Sequence, residues 1–135
     1  MKLGAIVIDS DNIEDLSDFY AKMLGWAKSS QIYEGEKWIT VIKDDYNETP
    51  LVFQENPDYE SPKWPSTKNE QQQMVHIDFY VNVNEFESKI EHAIKCGAKV
   101  AENQFSNSWK VMFDISGHPF CIIPLPYDIY EQRYG

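Results

Sequence analysis

Three side chains in the second half of this 135-residue chain could do chemistry together. His76 and Asp78 stand two apart in VHIDFYV (75–81), and residues two apart on a strand project from one face. Cys121 lies in DISGHPFCII (114–123), three residues after His118. Imidazole, carboxylate and thiol serve general acid–base and nucleophilic catalysis, so His76, Asp78 and Cys121 are the candidate catalytic residues. The sharp version is a Cys121–His76 pair with Asp78 as the orienting group. Each member also has a plainer role. A reactive thiol needs a nearby cation or helix N-terminus to lower its pKa. Cys121 instead stands between Phe120 and Ile122, where cysteine packs as a small hydrophobe, so a pocket wall is the favoured reading. His118 reads as a surface turn residue in D-x-x-G-H, with Gly117 supplying a positive φ. His92, beside Glu91, reads as a solvated helix residue.

These residues need a scaffold, and the chain describes one twice. A short apolar run at 3–8 predicts a strand. Asp11 followed by Glu14 resembles a capping box, and Ile13, Leu16, Phe19, Tyr20, Met23 and Leu24 recur at helical spacing up to Gly25. Strands are predicted at about 26–33, 38–43 and 50–54. Pro57, Pro62 and Pro65 then mark a long loop ending in a polar run at 68–73. After it the order returns: a strand at 74–81, a helix with Phe86, Ile90, Ala93 and Ile94 on its stripe, Gly97, and strands at 98–105, 108–114 and 119–123. The two helix-ending glycines set a repeat offset of 72 residues (97 − 25). The fold class is α+β: two tandem βαβββ modules forming curled mixed sheets around a cleft, with helices outside. The expected organisation is a single domain over 1–135, with module 1 at 1–55, a linker loop at 56–73, module 2 at 74–124 and a tail at 125–135. The tail carries Tyr127, Tyr130 and Tyr134 and is expected to latch onto the domain or a second subunit rather than fray.

Composition narrows the partners. The formal charge is −10, from 12 Lys and Arg against 22 Asp and Glu. Nucleic acid and anionic membrane surfaces are excluded, because phosphate binding needs clustered cations. A cationic ligand would suit the charge. Two cysteines, Cys96 and Cys121, imply no disulfide framework and fit a reducing compartment. Only Lys2 precedes the first apolar run, unlike a secretory signal, so a cytoplasmic location is expected.

The doubled unit resembles the vicinal oxygen chelate superfamily, which includes glyoxalase I, bleomycin-resistance proteins, fosfomycin-resistance enzymes and extradiol dioxygenases. The resemblance rests on IDSDNIEDLSDFYAKMLGW (8–26), LVFQ (51–54), VHIDFYV, KCGAKV (95–100) and DISGHPFCII. It is nearest to the glyoxalase-like subgroup and implies a homodimer. It also implies metal ligands, when a metal is used, on the first, fourth, fifth and eighth strands. Carried over residue by residue, these positions are Gly4 or neighbouring Ala5, Val52 with Gln54 two residues on, His76, and Cys121 where a glutamate normally stands. His76 is the one matching ligand, so no cofactor is expected, and a divalent metal is the lesser alternative. The ligand-contacting candidates are His76, Asp78, Tyr80, Gln54, Trp38, Phe53, Trp64, Trp109, Phe113 and Cys121. The expected function is binding of a small cationic or aromatic molecule in a metal-free cleft. The alternatives are a metal-dependent lyase, isomerase or dioxygenase using His76, and a non-catalytic interaction module with a vestigial cleft.

Overall fold

The computed structural model describes residues 1–135, which form two compact units, Met1–Glu60 and Ser61–Gly135. The expected linker is therefore divided: residues 61–73 belong to the second unit. Each unit holds one open four-stranded mixed sheet, as two tandem βαβββ modules require.

In the first unit β1 (Ile6–Ser10) leads into α1 (Ile13–Leu24), followed by β2 (Ala27–Tyr33), β3 (Glu36–Ile42) and β4 (Leu51–Glu55). The sheet order is β1-β4-β3-β2, with β1 parallel to β4 and the other pairs antiparallel. Asn12, not Asp11, caps α1. The buried Ser10 hydroxyl accepts the Asn12 N–H at 3.0 Å and holds Asn12 so that its Oδ1 accepts the Asp15 N–H at 3.1 Å. The Asn12 amide donates in return to the Asp15 carboxylate at 2.9 Å, so the capping pair stands one residue later than Asp11 and Glu14. Gly25, at φ 70°, ends the helix. The helix buries Ile13, Leu16, Phe19 and Tyr20 on the sheet face that carries Ile8, Ile39, Val41, Leu51 and Phe53. Tyr20 stacks on Phe53 at 5.7 Å. At the rim Lys28 bonds Glu14 and Asp18 at 2.8 Å, and Lys37 also pairs with Glu14. The two lysines hold the Glu14 carboxyl down at about 2. These pairs are exposed and add little stability.

The second unit runs through a loop into β5 (Ile77–Asn82), a 3-10 turn at Val83–Glu85, α2 (Phe86–Cys96), β6 (Lys99–Val100), β7 (Lys110–Phe113), β8 (Pro119–Leu125) and α3 (Tyr127–Tyr134). Its order, β5-β8-β7-β6, repeats that of the first sheet, again with one parallel pair. Ile90 and Ala93 of α2 are buried, whereas Ile94, expected on the same stripe, is exposed. Phe79 meets Phe120 edge-on at 5.6 Å. β5 begins 71 residues after β1 (77 − 6), although the helix-ending glycines are 72 apart. The 3-10 turn takes up the difference. By strand register the first-module counterpart of His76 is therefore Ala5, not Gly4.

One expectation needs correction here. The sixth strand is two residues long, not eight, because the Gln104 side chain takes the place of a strand backbone. Its Oε1 accepts the Val111 N–H at 2.9 Å, and its Nε2 donates to the carbonyls of Ala101 and Val111 at 2.8 Å each. The tail is an eight-residue helix that packs on β5, with Tyr130 half-buried and 5.2 Å from the Tyr134 ring. No helix is long and apolar enough to cross a membrane.

Candidate functional site

The open face of the second sheet is built by strand alternation. Ile77, Phe79 and Val81 turn toward the α2 side, where Val81 is buried, and Asp78 and Tyr80 turn the other way. His76 immediately precedes β5 and continues the open face. The parallel register sets Asp78 beside Cys121 and Tyr80 beside Ile123, and the antiparallel register sets Cys121 beside Val111. Ala101, Val111 and Cys121 form a small buried cluster on this side, with Trp64, Phe113 and Ile123 packed against it.

Three polar groups meet at the edge of that cluster. His76 Nε2 lies 3.2 Å from Asp78 Oδ1. One donor atom each of His76, Asp78 and Cys121 lie within 4.8 Å of one another. Burial first, then the Asp78 charge and a hydrogen bond to Asp78, push the Cys121 thiol up to about 11. A thiol held this way is neutral near pH 7 and is a poor nucleophile. Asp78 thus touches both other members. The expected Cys121–His76 pair, with Asp78 behind it, gives way to an arrangement with the carboxylate in the middle.

Trp64 closes one side. Its ring centroid lies 5.8 Å from His76 and 6.2 Å from Phe105, and its indole Nε1 is buried with no hydrogen-bond partner. The loop that carries Trp64 is anchored to the D-x-x-G-H turn, where the Ser61 hydroxyl donates to the Ser116 carbonyl at 2.7 Å. The turn is rigid because the fully buried Asp114 carboxylate accepts the N–H groups of Ser116 and His118, at 2.9 and 3.0 Å, and contacts His118 Nδ1 at 2.8 Å. His118 is therefore a turn residue as expected, but it is pinned in place and largely covered rather than free at the surface. Gly117 sits at φ 88°, and an added Cβ would stand 2.8 Å from the Ser61 hydroxyl.

The other candidates separate. Phe113 lies on the cluster, and Trp109, 37% exposed, precedes β7 on the same alternation as Val111. Trp38 and Gln54 are cross-strand neighbours in the first sheet, on the face away from α1. Phe53 is corrected: it is fully buried and stacked on Tyr20, on the face that carries α1, and is a core residue. Sequence reasoning missed Phe105, which lay inside an expected strand, and it did not count Asp78 as a metal donor. The alternation of His76 and Asp78 was the signal for the second.

A nitrogen, a carboxylate oxygen and a sulfur make up the donor set. Three such protein donors match the usual count of a catalytic zinc site, and the thiol favours zinc-like ions over magnesium or manganese. His92 and Cys96 on α2 form a second His–Cys contact at 3.8 Å, but with two donors and no third.

Residues 5–123 match the family described as a glyoxalase-like domain. No curated protein matches the chain. Among solved structures it is similar to hypothetical protein SA1046 from S. aureus, at 18% identity and TM-score 0.64, covering 93% of this chain and 98% of that one. It is similar to a mutant of the fosfomycin resistance protein FosX from Listeria monocytogenes, complexed with Mn(II) and 1S,2S-dihydroxypropylphosphonic acid, at 13% identity and TM-score 0.67, covering 99% and 98%. It is also similar to a glyoxalase/bleomycin resistance protein/dioxygenase family enzyme from Burkholderia phytofirmans PsJN, at 15% identity and TM-score 0.66, covering 94% and 99%. At these identities the structural likeness carries the fold, and the match over 5–123 carries the family: the chain belongs to the glyoxalase-like domain family of the vicinal oxygen chelate superfamily.

Proposed function

We propose that this protein binds a small organic molecule, aromatic and cationic in part, on the open face of its second sheet. One observation carries the reading. The Trp64 indole N–H is buried without an acceptor, on an aromatic patch beside His76, Asp78 and Cys121. A buried donor left unpaired costs about 1–3 kcal/mol, and a ligand oxygen that accepts it recovers this. Trp64, Phe105 and Phe113 supply flat apolar surface, and Asp78 and the net charge of −10 favour a positive group. The homodimer typical of the superfamily belongs to this reading, as does a location in the reducing cell interior.

The test is calorimetric titration in the presence of a chelator. Berberine, a flat quaternary cation with ether oxygens, is the positive probe, and fosfomycin, a small phosphonate anion, is the contrast. Berberine should bind, and Trp64→Phe should weaken it about tenfold, since one lost buried hydrogen bond is worth about 1.4 kcal/mol. No binding, or equal binding to the Trp64→Phe protein, would remove the proposal. A metal-dependent lyase, isomerase or dioxygenase that uses His76 is the second reading, favoured by the clustering of three donors.

A further inference from the structure

We infer that His76, Asp78 and Cys121 form a self-contained three-donor site for a thiophilic divalent cation of the zinc type, built wholly within the second module. The inference shares the face proposed above for an organic ligand, but it does not depend on what that ligand is.

The sequence positions expected to bear ligands are spread over four strands of both modules, and in the first module they are filled by Ala5 and Val52. Neither has a donor atom. The second module supplies a different set from two adjacent strands. Asp78 and Cys121 are direct neighbours in the parallel β5–β8 register, and His76, just before β5, reaches Asp78 on the same face. Ligand atoms around a tetrahedral zinc stand about 3.3–3.8 Å apart, from bond lengths near 2.0–2.3 Å. The His76–Asp78 separation of 3.2 Å is already close to this, and the widest separation in the group, within 4.8 Å, needs only side-chain rotation. His76 and Asp78 are exposed enough to rotate, at 39% and 37%, while Cys121 is fixed on the sheet.

An ordinary surface ion pair does not account for the arrangement. An exposed His–Asp contact adds little stability. It also leaves unexplained why a third donor, the Cys121 sulfur, lies within the same 4.8 Å group. A divalent cation held by all three donors accounts for the grouping. On binding, the thiol proton leaves to solvent and the thiolate sulfur joins the ion, with no change of oxidation state. Trp64, Ala101 and Val111 shield the sulfur side, and the solvent side of His76 and Asp78 leaves a fourth coordination position open.

The experiment is titration of metal-free protein with cobalt(II), followed by absorbance. A thiolate ligand gives a sulfur-to-cobalt charge-transfer band in the near ultraviolet, which a merely structural role for Cys121 would not produce. One equivalent should bind, with the band present, and zinc should displace it. Cys96→Ser should retain the band and Cys121→Ser should lose it. Asp78→Asn changes an exposed side chain and keeps the fold testable if Cys121→Ser does not fold. It should weaken cobalt binding at least tenfold, as should His76→Ala. No charge-transfer band, a band that survives Cys121→Ser, or binding unaffected by Asp78→Asn would overturn the site. Loss of binding in Gln54→Ala would overturn its confinement to one module. Berberine binding with chelator present, together with no cobalt band, would end this inference and leave the organic-binding proposal standing. The converse result would separate them in the other direction.

Discussion

The two sheets share one strand order and differ in what they place on their open faces. The first presents Val7, Trp38, Thr40, Val52 and Gln54, with Thr40, Gln31 and Ser29 joined by hydrogen bonds of 3.2 and 2.7 Å. The second presents His76, Asp78, Tyr80 and Cys121 beside Trp64. Their connections into the last strand differ in the same sense. Residues 43–50 form an eight-residue loop with exposed Lys43–Asp45 and Lys43–Glu48 pairs at 3.4 and 4.0 Å. Residues 114–118 form a five-residue turn locked around buried Asp114. A repeated scaffold thus keeps its core positions in both copies, and the chemistry-bearing face is specialised in one. Precision at Cys121 needs a rigid approach to β8, and the short turn supplies it.

Core substitutions test the equivalent part of the comparison and should have the largest effect. Phe53→Ala and Phe120→Ala each remove a fully buried aromatic, one per sheet. Each should lower unfolding free energy by about 3–5 kcal/mol in urea denaturation. A much smaller loss in one would break the equivalence of the two cores.

The turns test the unequal part. Asp114→Ala strands two part-buried N–H groups and should cost about 2–3 kcal/mol, whereas Asp45→Ala in the exposed loop should cost under about 1 kcal/mol. Thermal unfolding of the two variants decides this, and equal losses would refute the contrast in rigidity.

Glycines sharpen it further. Gly35→Ala, at φ 81° with open space around it, should cost about 1–2 kcal/mol from backbone strain alone. Gly117→Ala carries the same strain and must also displace Ser61, so it should cost more by urea unfolding. Equal costs would mean that the Ser61 anchor of the Trp64 loop gives way freely.

The smallest effects are titrations. Cys121 is raised in the folded protein from its ordinary 9.0 to about 11. The folded state therefore holds the thiol proton over that window and the unfolded state releases it. Stability from this group is full below 9.0 and is lost as pH rises toward about 11. Glu14 works in the opposite sense: its carboxyl is lowered from 4.5 to about 2, so its contribution is present above 4.5 and fades as pH falls toward 2. The difference in unfolding midpoint between wild type and Cys121→Ser should stay constant below pH 9 and change as pH rises toward 11, where only the wild type loses this contribution. At pH 8, iodoacetamide followed by peptide mass spectrometry should label Cys96 and spare Cys121, which is buried as well as raised.

Much of the scaffold was legible because it follows local rules. Helical spacing from Ile13 to Leu24, with Gly25 as its stop, gives α1 within a residue, and the return of that pattern at Gly97 gives the repeat. The cap was misplaced by one residue because Ser10, a buried side chain, decides which neighbour can turn its oxygen inward. The sixth strand was overextended because a glutamine side chain can imitate a strand backbone, and no periodicity records that. Phe53 was assigned to the ligand face because an aromatic on a strand carries no label for its facing.

The two βαβββ units, the common facing of His76 and Asp78, and the turn before Cys121 can all be read along the chain. These depend on backbone periodicity, capping and glycine stereochemistry, which act between residues close in the chain. Long-range packing alone makes Asp78, not His76, the partner of Cys121, sets Trp64 against them with an unpaired N–H, and puts Phe53 in the core. Those contacts join segments tens of residues apart through strand register, where a shift of one residue moves every side chain to the opposite face.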